Sequence, residues 1–251
     1  MRILVFFLIL ICFSCSTKKD ILFIQDSSPK TDYDLAFQDI TIDSDDILRI
    51  KVSSRSVELA ALYSFQNGIT NSNTLEGFQI EGYKVDSDGY IKLPSIDPIM
   101  VKDLSVKDAS DLIQKTLRDK EDIKDATVDV KIVNSYFTIL GEVNKPGRYN
   151  FLKNNMDIFQ ALGMAGDLTI NGKRDDIKII SKNDDTLNVK SVDLTSSDVL
   201  LSKNFQIFPG DIIIINANNA RIKNAGVIGN FGNLLSVLSF VLSSLILISN
   251  N

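Results

Sequence analysis

The feature that most constrains this chain is an apolar run near its C-terminus, residues 227–249, which reads VIGNFGNLLSVLSFVLSSLILIS. On an α-helix its small and polar residues form one stripe, while its leucines occupy another face. At 1.5 Å per residue the run reaches roughly 33 Å, enough to cross a bilayer core. The sequence therefore predicts a C-terminal amphipathic transmembrane helix over 227–249, with this stripe lining a pore or packing against other helices: Gly229, Gly232, Ser236, Ser239 and Ser243.

The stripe has three interpretations. One is a simple membrane anchor whose serines bond back to their own backbone. A second is self-association, either by close packing of small residues or through a ring of helices that turns its serine face toward a watery lumen. The third is a core helix of a globular domain, which would leave a large exposed apolar patch on a monomer. The pattern favours self-association.

The N-terminus carries a second membrane signal. Met1 and Arg2 precede an apolar stretch at residues 3–11 that has the charge, length and position of a secretory signal and is too short to span a bilayer. Ser14 followed by Cys15 resembles the lipobox at which bacterial lipoproteins are cleaved and acylated, for example with palmitate. We therefore predict a signal peptide at 1–14, lipidation of Cys15 and a tether at 15–36. The alternative for these cysteines is a C-x-x-C redox pair.

Composition excludes several function classes. After Cys15 the chain has no cysteine, so packing alone must stabilise the folded part. A net charge of −5 and a pI near 4.9 argue against nucleic acid as a partner. The chain has no histidine, the commonest general base and a common metal ligand.

Catalytic motifs are missing as well. The sequence has no nucleophile elbow, phosphate loop or dinucleotide fingerprint. We therefore expect no catalytic residue, no metal ligand and no cofactor, and we expect that the protein is not an enzyme. Four pairs of adjacent carboxylates are expected to lie on the solvated surface: Asp45 and Asp46, Glu121 and Asp122, Asp175 and Asp176, Asp184 and Asp185.

Patterning along the first half predicts a mixed sheet with one helix. Alternation at residues 40–52 predicts a strand pair around an acidic turn, and residues 83–94 predict a hairpin with a glycine-containing turn. Apolar residues then recur at helical spacing, with Ser105 as the N-cap and Asp108 in the first turn. Residues 126–133 alternate between apolar and charged, which predicts a strand of a sheet with one wet face.

The second half repeats this logic. A strand, a Pro-Gly turn and a return strand are predicted, with Pro146 setting the φ of the turn and Gly147 supplying a positive φ. A short helix follows, which Gly166 can terminate. Two further strands are predicted at 177–180 and 212–215.

Particular residues in both halves resemble motifs of known domains. In the first half they resemble two motifs of the polysaccharide biosynthesis and export domain. Asp46, Leu48 and Ile50 resemble its opening Gly-Asp-x-Leu-x-Ile signature, here with Asp45 in place of the glycine. Asp88, Gly89, Leu93 and Pro94 resemble its Asp-Gly-x-Ile-x-Leu-Pro run. In the second half they resemble the soluble-ligand-binding β-grasp (SLBB) domain: Gly141, Pro146, Gly147, Pro209, Gly210 and Asp211.

The order of these features along the chain resembles that of the outer-membrane polysaccharide export lipoproteins. The resemblance implies an α+β chain with a small export domain at 37–134, one β-grasp domain at 135–217 and the C-terminal helix. It further implies a homo-oligomeric ring in the bacterial outer membrane, lipid-anchored with its body in the periplasm. The C-terminal helices of this ring would form a pore for capsular polysaccharide or exopolysaccharide, and an inner-membrane polysaccharide co-polymerase would feed it.

A second hypothesis is a monomeric lipoprotein that binds a sugar or another soluble ligand through its β-grasp domain. Aromatic side chains that stack on sugar rings would mark such a site, and the candidates are Tyr63, Phe65, Phe78, Tyr83 and Tyr90. Core packing is the alternative role for these side chains. Oligomer size in mild detergent separates the two hypotheses, and DNA uptake through a β-grasp module is disfavoured by the acidic charge balance.

Overall fold

A computed structural model describes residues 21–26, 32, 37–64, 82–119, 123–152, 155–183 and 186–218, together with 235–236, 239–240 and 243–244. In this described part the chain is a mixed α+β structure with α-helices and several sheets, as the patterning predicts. Several predicted residues lie outside it: Cys15, Phe65, Phe78, Glu121, Asp122, Asp184, Asp185, Gly229 and Gly232.

The first sheet has β1 (Ile47–Ser53) at its centre. β2 (Tyr83–Lys84) and β5 (Thr127–Ile132) flank it, and both pair with it in antiparallel fashion. Along β5 the valines and isoleucine are buried while the residues between them are exposed, so the predicted wet face is confirmed. The buried faces of β1 and β5 form one side of the core.

Two helices accompany this sheet. α1 (Val57–Tyr63) follows β1 directly, and α2 (Val106–Asp119) precedes β5. α2 buries Ala109, Ile113 and Leu117, which are four residues apart and therefore share one face. Its predicted N-cap is confirmed, because the Ser105 hydroxyl accepts a hydrogen bond from the N–H of Asp108 at 3.1 Å.

Two predicted pairings of the first half are wrong. Residues 40–42 do not pair with β1; Thr41 instead forms a bridge with Ser105, at the start of α2. The predicted hairpin at 83–94 keeps its turn, but its two arms belong to different sheets, since β2 joins β1 and β3 (Tyr90–Ile91) pairs with β4 (Ile99–Met100). β1 already has β2 and β5 on its two edges, which leaves no edge for another strand.

The second sheet has five strands, which in chain order are β6 (Tyr136–Gly141), β7 (Gly147–Asn150), β9 (Gly172–Asn183), β10 (Thr186–Val192) and β12 (Ile212–Ala217). Their order across the sheet is β10, β9, β12, β6, β7. The central β12 is parallel to β6 and antiparallel to β9, so the strand latest in the sequence completes the middle of the sheet.

Short elements accompany this sheet. β8 (Met156–Asp157) pairs with β11 (Gln206–Ile207), and α3 (Ile158–Met164) follows β8. Two 3₁₀ helices, Ser197–Leu201 and Lys203–Phe205, precede β11. α3 begins at a capping carboxylate, since Asp157 accepts the N–H of Gln160 at 2.8 Å.

Glycines at two chain reversals behave differently from one another. Gly166, just beyond α3, has a φ of +73°, so its predicted role as helix terminator is confirmed. Gly147 does not have the predicted positive φ; it begins β7 and pairs with Ile139. The left-handed residue of this hairpin is Gly141, with a φ of +95°.

The described part of the C-terminal run is helical at residues 235–236, 239–240 and 243–244. Among the residues that the structure describes, no helix is both long enough and apolar enough to cross a membrane. The transmembrane helix over 227–249 therefore stays a prediction.

Candidate functional site

The motif residue Asp46 organises the turn that leads into β1. Its carboxylate accepts a hydrogen bond from the backbone N–H of Asp43 at 2.9 Å, and its own N–H donates to the Asp43 carbonyl at 3.2 Å. The prediction that both carboxylates of this pair lie on the solvated surface is wrong for Asp46, which is half-buried. Burial raises its pKa to about 6, with the Asp43 and Asp45 carboxylates adding to the rise and the Asp43 N–H opposing it.

The motif residue Asp211 builds the same turn at the start of β12. Its carboxylate accepts the N–H of Phe208 at 2.9 Å, and its N–H donates to the Phe208 carbonyl at 3.2 Å. Asp211 is 2% exposed, and burial raises its pKa while the Phe208 N–H lowers it. The second Gly-Asp motif is thus a buried, hydrogen-bonded capping carboxylate in front of a core strand.

The residue before each aspartate adopts a left-handed conformation. Gly210 has a φ of +84°, and Asp45, which stands where the family signature has glycine, has a φ of +69°. Asp45 also forms an exposed ion pair with Lys84 at 2.7 Å, and this contact lowers its pKa. The turn geometry of the motif is therefore kept without its glycine, at the expense of a strained backbone angle.

The Asp-Gly motif residues Asp88 and Gly89 lie in the turn between β2 and β3. Asp88 is exposed, and the side chain that holds the turn is Asp86, which sequence reasoning missed: its carboxylate accepts the N–H groups of Asp88 and Tyr90 at 3.1 and 2.8 Å. Gly89 is buried at a φ of +88°, and a Cβ there would lie 2.5 Å from the Lys102 side chain. The remaining motif residues of the first half divide by burial, with Leu48, Ile50 and Leu93 in the core and Pro94 exposed.

An open groove of about 590 Å³ runs beside these two turns. Of the aromatic candidates, Tyr90 is 38% exposed and lines the groove together with Tyr83. Tyr83 is partly buried and donates its hydroxyl to the Tyr63 carbonyl at 3.3 Å, while Tyr63 itself is a core residue. The groove is otherwise polar and carries both signs of charge: Asp45, Gly82, Lys84, Asp86, Ser87 and Lys92.

The remaining motif glycines and prolines position the second sheet. A Cβ on Gly141 would lie 2.0 Å from the carbonyl oxygen of Ile215, so only glycine allows β6 to approach β12 this closely. Pro146 and Gly147 join β6 to β7, and nothing lies within 4 Å of a Cβ built on Gly147. Pro209 is half-buried in the turn before Asp211.

The described serines of the C-terminal stripe bond to their own helix. Ser239 Oγ donates to the Leu235 carbonyl at 2.7 Å, and Ser243 Oγ donates to the Ser239 carbonyl at 2.8 Å. Such bonds satisfy the hydroxyl protons without a partner helix and leave the oxygen lone pairs available. They are compatible with a membrane anchor and with a lumen-facing stripe.

A segment within the predicted tether is bound to the second sheet, which the sequence did not reveal. In this segment, residues 21–26, which we call the strap, Ile24 and Gln25 donate their N–H groups to the carbonyls of Leu194 and Thr195 at 3.0 and 2.8 Å. The Asp26 carboxylate accepts the N–H of Ser197 at 2.6 Å, and this bond lowers its pKa. The strap therefore lies beside residues 194–197, which follow β10 in the chain.

Aromatic rings fix the strap and the chain after it. Phe23 meets Phe159 of α3 edge-to-face with ring centroids 5.8 Å apart, and the Arg174 guanidinium lies 5.1 Å from the Phe23 centroid. Phe159 contacts Phe205, which in turn contacts Phe37. Phe23 and Phe37 thus belong to one aromatic cluster.

Comparison with known proteins yields two matches. A family model described as polysaccharide biosynthesis/export protein matches residues 36–133. A model of the SLBB domain matches residues 136–189. No match to a curated protein was found.

The first match covers the sheet of β1, β2 and β5, and the second covers β6, β7, β9 and the start of β10 but ends before β12. The first contains the Asp46 and Asp86 turns, and the second begins with β6. The export family consists of transport proteins of the outer membrane and periplasm. With an export domain at 36–133 followed by an SLBB domain at 136–189, this chain has the domains of a polysaccharide export protein.

Proposed function

We propose that the chain is one subunit of an outer-membrane channel that exports capsular polysaccharide or exopolysaccharide. In this proposal identical subunits form a ring, their C-terminal helices together line the pore, and an inner-membrane co-polymerase delivers the polymer. The observation that carries the proposal is the order of the chain: an export domain, an SLBB domain, and then an apolar run with one stripe of small and hydroxyl side chains.

The chemistry of the C-terminal run supports a pore made of helices. A helix satisfies its backbone groups internally, so within a bilayer only its side chains must suit lipid or water. Leu235 and Phe240 are exposed at 55% and 76%, and Ser236, Ser239 and Ser243 are exposed too, so both kinds of side chain are available to lipid, water or a neighbouring helix. Ser239 and Ser243 keep their hydroxyl protons bonded within the helix, so their oxygen atoms can accept hydrogen bonds from water in a lumen.

The proposed attachment to the outer membrane has two parts. One is acylation of Cys15 after removal of residues 1–14, and the other is the helix over 227–249. A single acyl chain gives only weak and reversible membrane binding, whereas two membrane contacts together give stable anchoring. The proposed body of the subunit, with both sheets, lies in the periplasm.

Electron microscopy of the full-length protein, purified from outer membranes in mild detergent, tests the proposal. We expect closed rings with rotational symmetry and one protruding helical bundle on the axis. Reconstitution into planar bilayers should then give ion conductance. Particles with the mass of a single chain, and no conductance, would contradict the channel.

The second candidate function, a monomeric sugar-binding lipoprotein, is favoured by the groove beside Tyr90. Exposed aromatic faces next to charged and hydroxyl groups suit sugar rings, which offer both apolar faces and hydroxyls. The groove lies in the export domain and not in the β-grasp domain where binding was predicted. Tyr90→Ala should weaken oligosaccharide binding of a monomer in calorimetry, with Tyr136→Ala as the aromatic control outside the groove.

A further inference from the structure

We propose that one face of the second sheet is a docking site for the C-terminal run of the same chain, which occupies it until the run enters a membrane. We call this surface the outer face. The inference rests on the proposed function, because it takes residues 227–249 as a membrane helix. It adds where this helix lies while the protein is still in the aqueous periplasm.

The outer face carries rows of aliphatic side chains. Val189 of β10 pairs with Ile180 of β9, and Ile180 pairs with Ile212 of β12, so these three side chains form one row across the sheet. Ile214 and Leu140 pair on the same face two residues further along. The aliphatic residues of the outer face are Leu140, Ile180, Leu187, Val189, Ile212 and Ile214.

The two faces of this sheet differ in how well they are covered. Phe137 and Ile213, on the inner face, are completely buried in the core. On the outer face Leu187, Val189 and Leu140 are exposed at 72%, 60% and 44%. A sheet with one covered face usually carries polar residues on the other, so these aliphatic rows indicate a surface that another element covers.

The C-terminal run starts beside the outer face. Ile212 and Ile214 belong to β12, the strand from which the chain continues through Asn218 toward the run. The connecting residues, 219–233, can reach up to roughly 50 Å, whereas β12 is only roughly 20 Å long. The run can therefore turn back over the strand that precedes it.

The run also matches the outer face in length and pattern. Residues 234–248 would form a helix of roughly 22 Å, close to the length of β12. Leucines recur along one side of this helix at steps of three and four, so they can pack together on the aliphatic rows. These leucines are Leu235, Leu238, Leu242 and Leu245.

Two lysines on the outer face are compatible with the serine stripe. Lys178 and Lys182 flank Ile180 along β9 and are exposed. The run has no charged side chain, but Ser239 and Ser243 donate their protons within their own helix and keep their oxygens as acceptors. A lysine ammonium can donate to such an oxygen while its methylene stem lies along the leucines.

Docking would remove two apolar surfaces from water at once. Leu235 and Phe240 are exposed, so the described part of the chain covers neither the run nor the outer face. In water the leucines would pack on the outer face, because contact with water is unfavourable for both surfaces. In a bilayer lipid would surround the same leucines, and the outer face would be released.

Tryptophan fluorescence can test this contact because the chain contains no tryptophan. The mature chain, residues 15–251, is made with Cys15→Ser so that it has no lipid and no other cysteine. Leu242→Trp places the fluorophore in the middle of the leucine side, and Val189→Cys carries a nitroxide, which quenches only at short range. Leu201→Cys is the matched label outside the sheet, in the 3₁₀ helix Ser197–Leu201. Val189 and Leu201 are 60% and 63% exposed, so we expect both labelled variants to fold.

In buffer without detergent, we expect the Val189→Cys label to quench the tryptophan at least threefold more strongly than the Leu201→Cys label. Adding liposomes should abolish this difference. Equal quenching by the two labels in buffer would overturn the inference. A blue shift of the tryptophan emission on adding liposomes would then show that the run still inserts, which leaves the channel proposal standing.

Two further results would also overturn the inference. Strong quenching by the Val189→Cys label that persists with liposomes would contradict the channel proposal as well, because the run would then be a core helix of the globular body. Chains that carry only the tryptophan are therefore also mixed with chains that carry only the nitroxide. Quenching in this mixture as strong as in the doubly substituted chain would mean that the run of a second copy occupies the outer face.

Discussion

Asp46 and Asp211, which lie in different domains, cap equivalent turns in the same way: each carboxylate accepts the N–H of the residue three positions before it. In both turns the aspartate is preceded by a residue with positive φ and followed by a core strand. The aspartate of each motif therefore has a structural role that needs no ligand. It accepts a hydrogen bond from a backbone N–H that would otherwise be unsatisfied at the start of a strand.

The raised pKa of Asp46 predicts a pH-dependent stability difference between wild type and Asp46→Asn. The folded pKa, about 6, lies above the ordinary value of 3.8, so the folded state binds a proton more tightly than the unfolded state. Relative to the variant, the stability of the wild type is highest below pH 4 and falls as the pH rises from about 4 to 6. At pH 7.5 the variant, which keeps an acceptor for the Asp43 N–H, should be more stable by up to about 3 kcal/mol.

Urea unfolding of both proteins, followed by circular dichroism at pH 4 and pH 7.5, measures this difference. Asp88→Asn, in an exposed carboxylate of a neighbouring turn, serves as the control for the loss of a surface charge. A stability difference between wild type and Asp46→Asn that stays constant with pH would contradict the assignment of a proton to Asp46.

Asp45→Gly is expected to stabilise the protein. Glycine adopts the left-handed conformation of this position without the steric cost of a Cβ, which gains about 1 kcal/mol. The ion pair with Lys84 is lost, but it is exposed to solvent and therefore contributes less than the strain that is relieved. Thermal unfolding should therefore show a slightly higher midpoint, whereas Asp45→Ala, which keeps the strain and loses the ion pair, should lower it. Equal midpoints for the glycine and alanine variants would show that backbone strain at this position is negligible.

Gly141→Ala should prevent the second sheet from forming properly. The added methyl group would meet the Ile215 carbonyl oxygen at 2.0 Å, on a backbone with a φ of +95°, so β6 and β12 would have to separate. We expect a loss of about 3 kcal/mol or more, measured by urea unfolding. Gly147→Ala, six residues further on in open space, is the matched control and should change stability by less than about 0.5 kcal/mol. Similar losses in the two variants would contradict the close approach at Gly141.

Phe23→Ala should release the strap while the two domains stay folded. The variant loses the edge-to-face contact with Phe159 and the ring that covers Arg174, together worth about 1–3 kcal/mol of local stability. Hydrogen exchange measured by mass spectrometry should show faster exchange at Ile24 and Gln25, with β9 and β12 unchanged. Leu22→Ala, at a side chain that is 55% exposed, is the control. Unchanged exchange in Phe23→Ala would mean that the backbone bonds hold the strap without the ring.

Replacing Ser236, Ser239 and Ser243 together with leucine should halt the protein in the inner membrane. A longer unbroken apolar helix is retained during secretion, whereas the serines keep the wild-type helix only modestly hydrophobic. Fractionation of the two membranes on a sucrose gradient measures the distribution. The matching triple threonine variant keeps the hydroxyls and should reach the outer membrane, and normal sorting of the leucine variant would count against this role of the serines.

Elements with a strong local signal were predicted well from the sequence. α2 combines apolar residues at helical spacing with a capping serine at position 105, and both signals lie within a few residues of one another. The same holds for β5, whose alternation directly reports one buried and one exposed face. Burial, period and capping are properties of a short stretch of chain, so they can be recognised without knowledge of the fold.

Features that depend on distant partners were missed. β2 and β3 flank a correctly predicted turn but join different sheets, because strand pairing is decided by which edges are open elsewhere. The positive φ was assigned to Gly147, whereas the close approach of Ile215, more than seventy residues away in sequence, makes Gly141 the glycine that cannot be replaced. The strap is a similar case: its apolar residues 21–24 lie within an otherwise polar stretch, and the sequence does not reveal that Phe23 contacts Phe159 and Arg174.

The central position of β12 has a mechanical consequence for a subunit of this kind. β12 is hydrogen-bonded along its length to β6 on one side and β9 on the other, and the chain continues from it into the C-terminal run. A pull on that run, directed along the strand, must shear two ladders at once instead of peeling off one bond after another. The attachment between the periplasmic body and the C-terminal run should therefore resist tension better than an edge strand would.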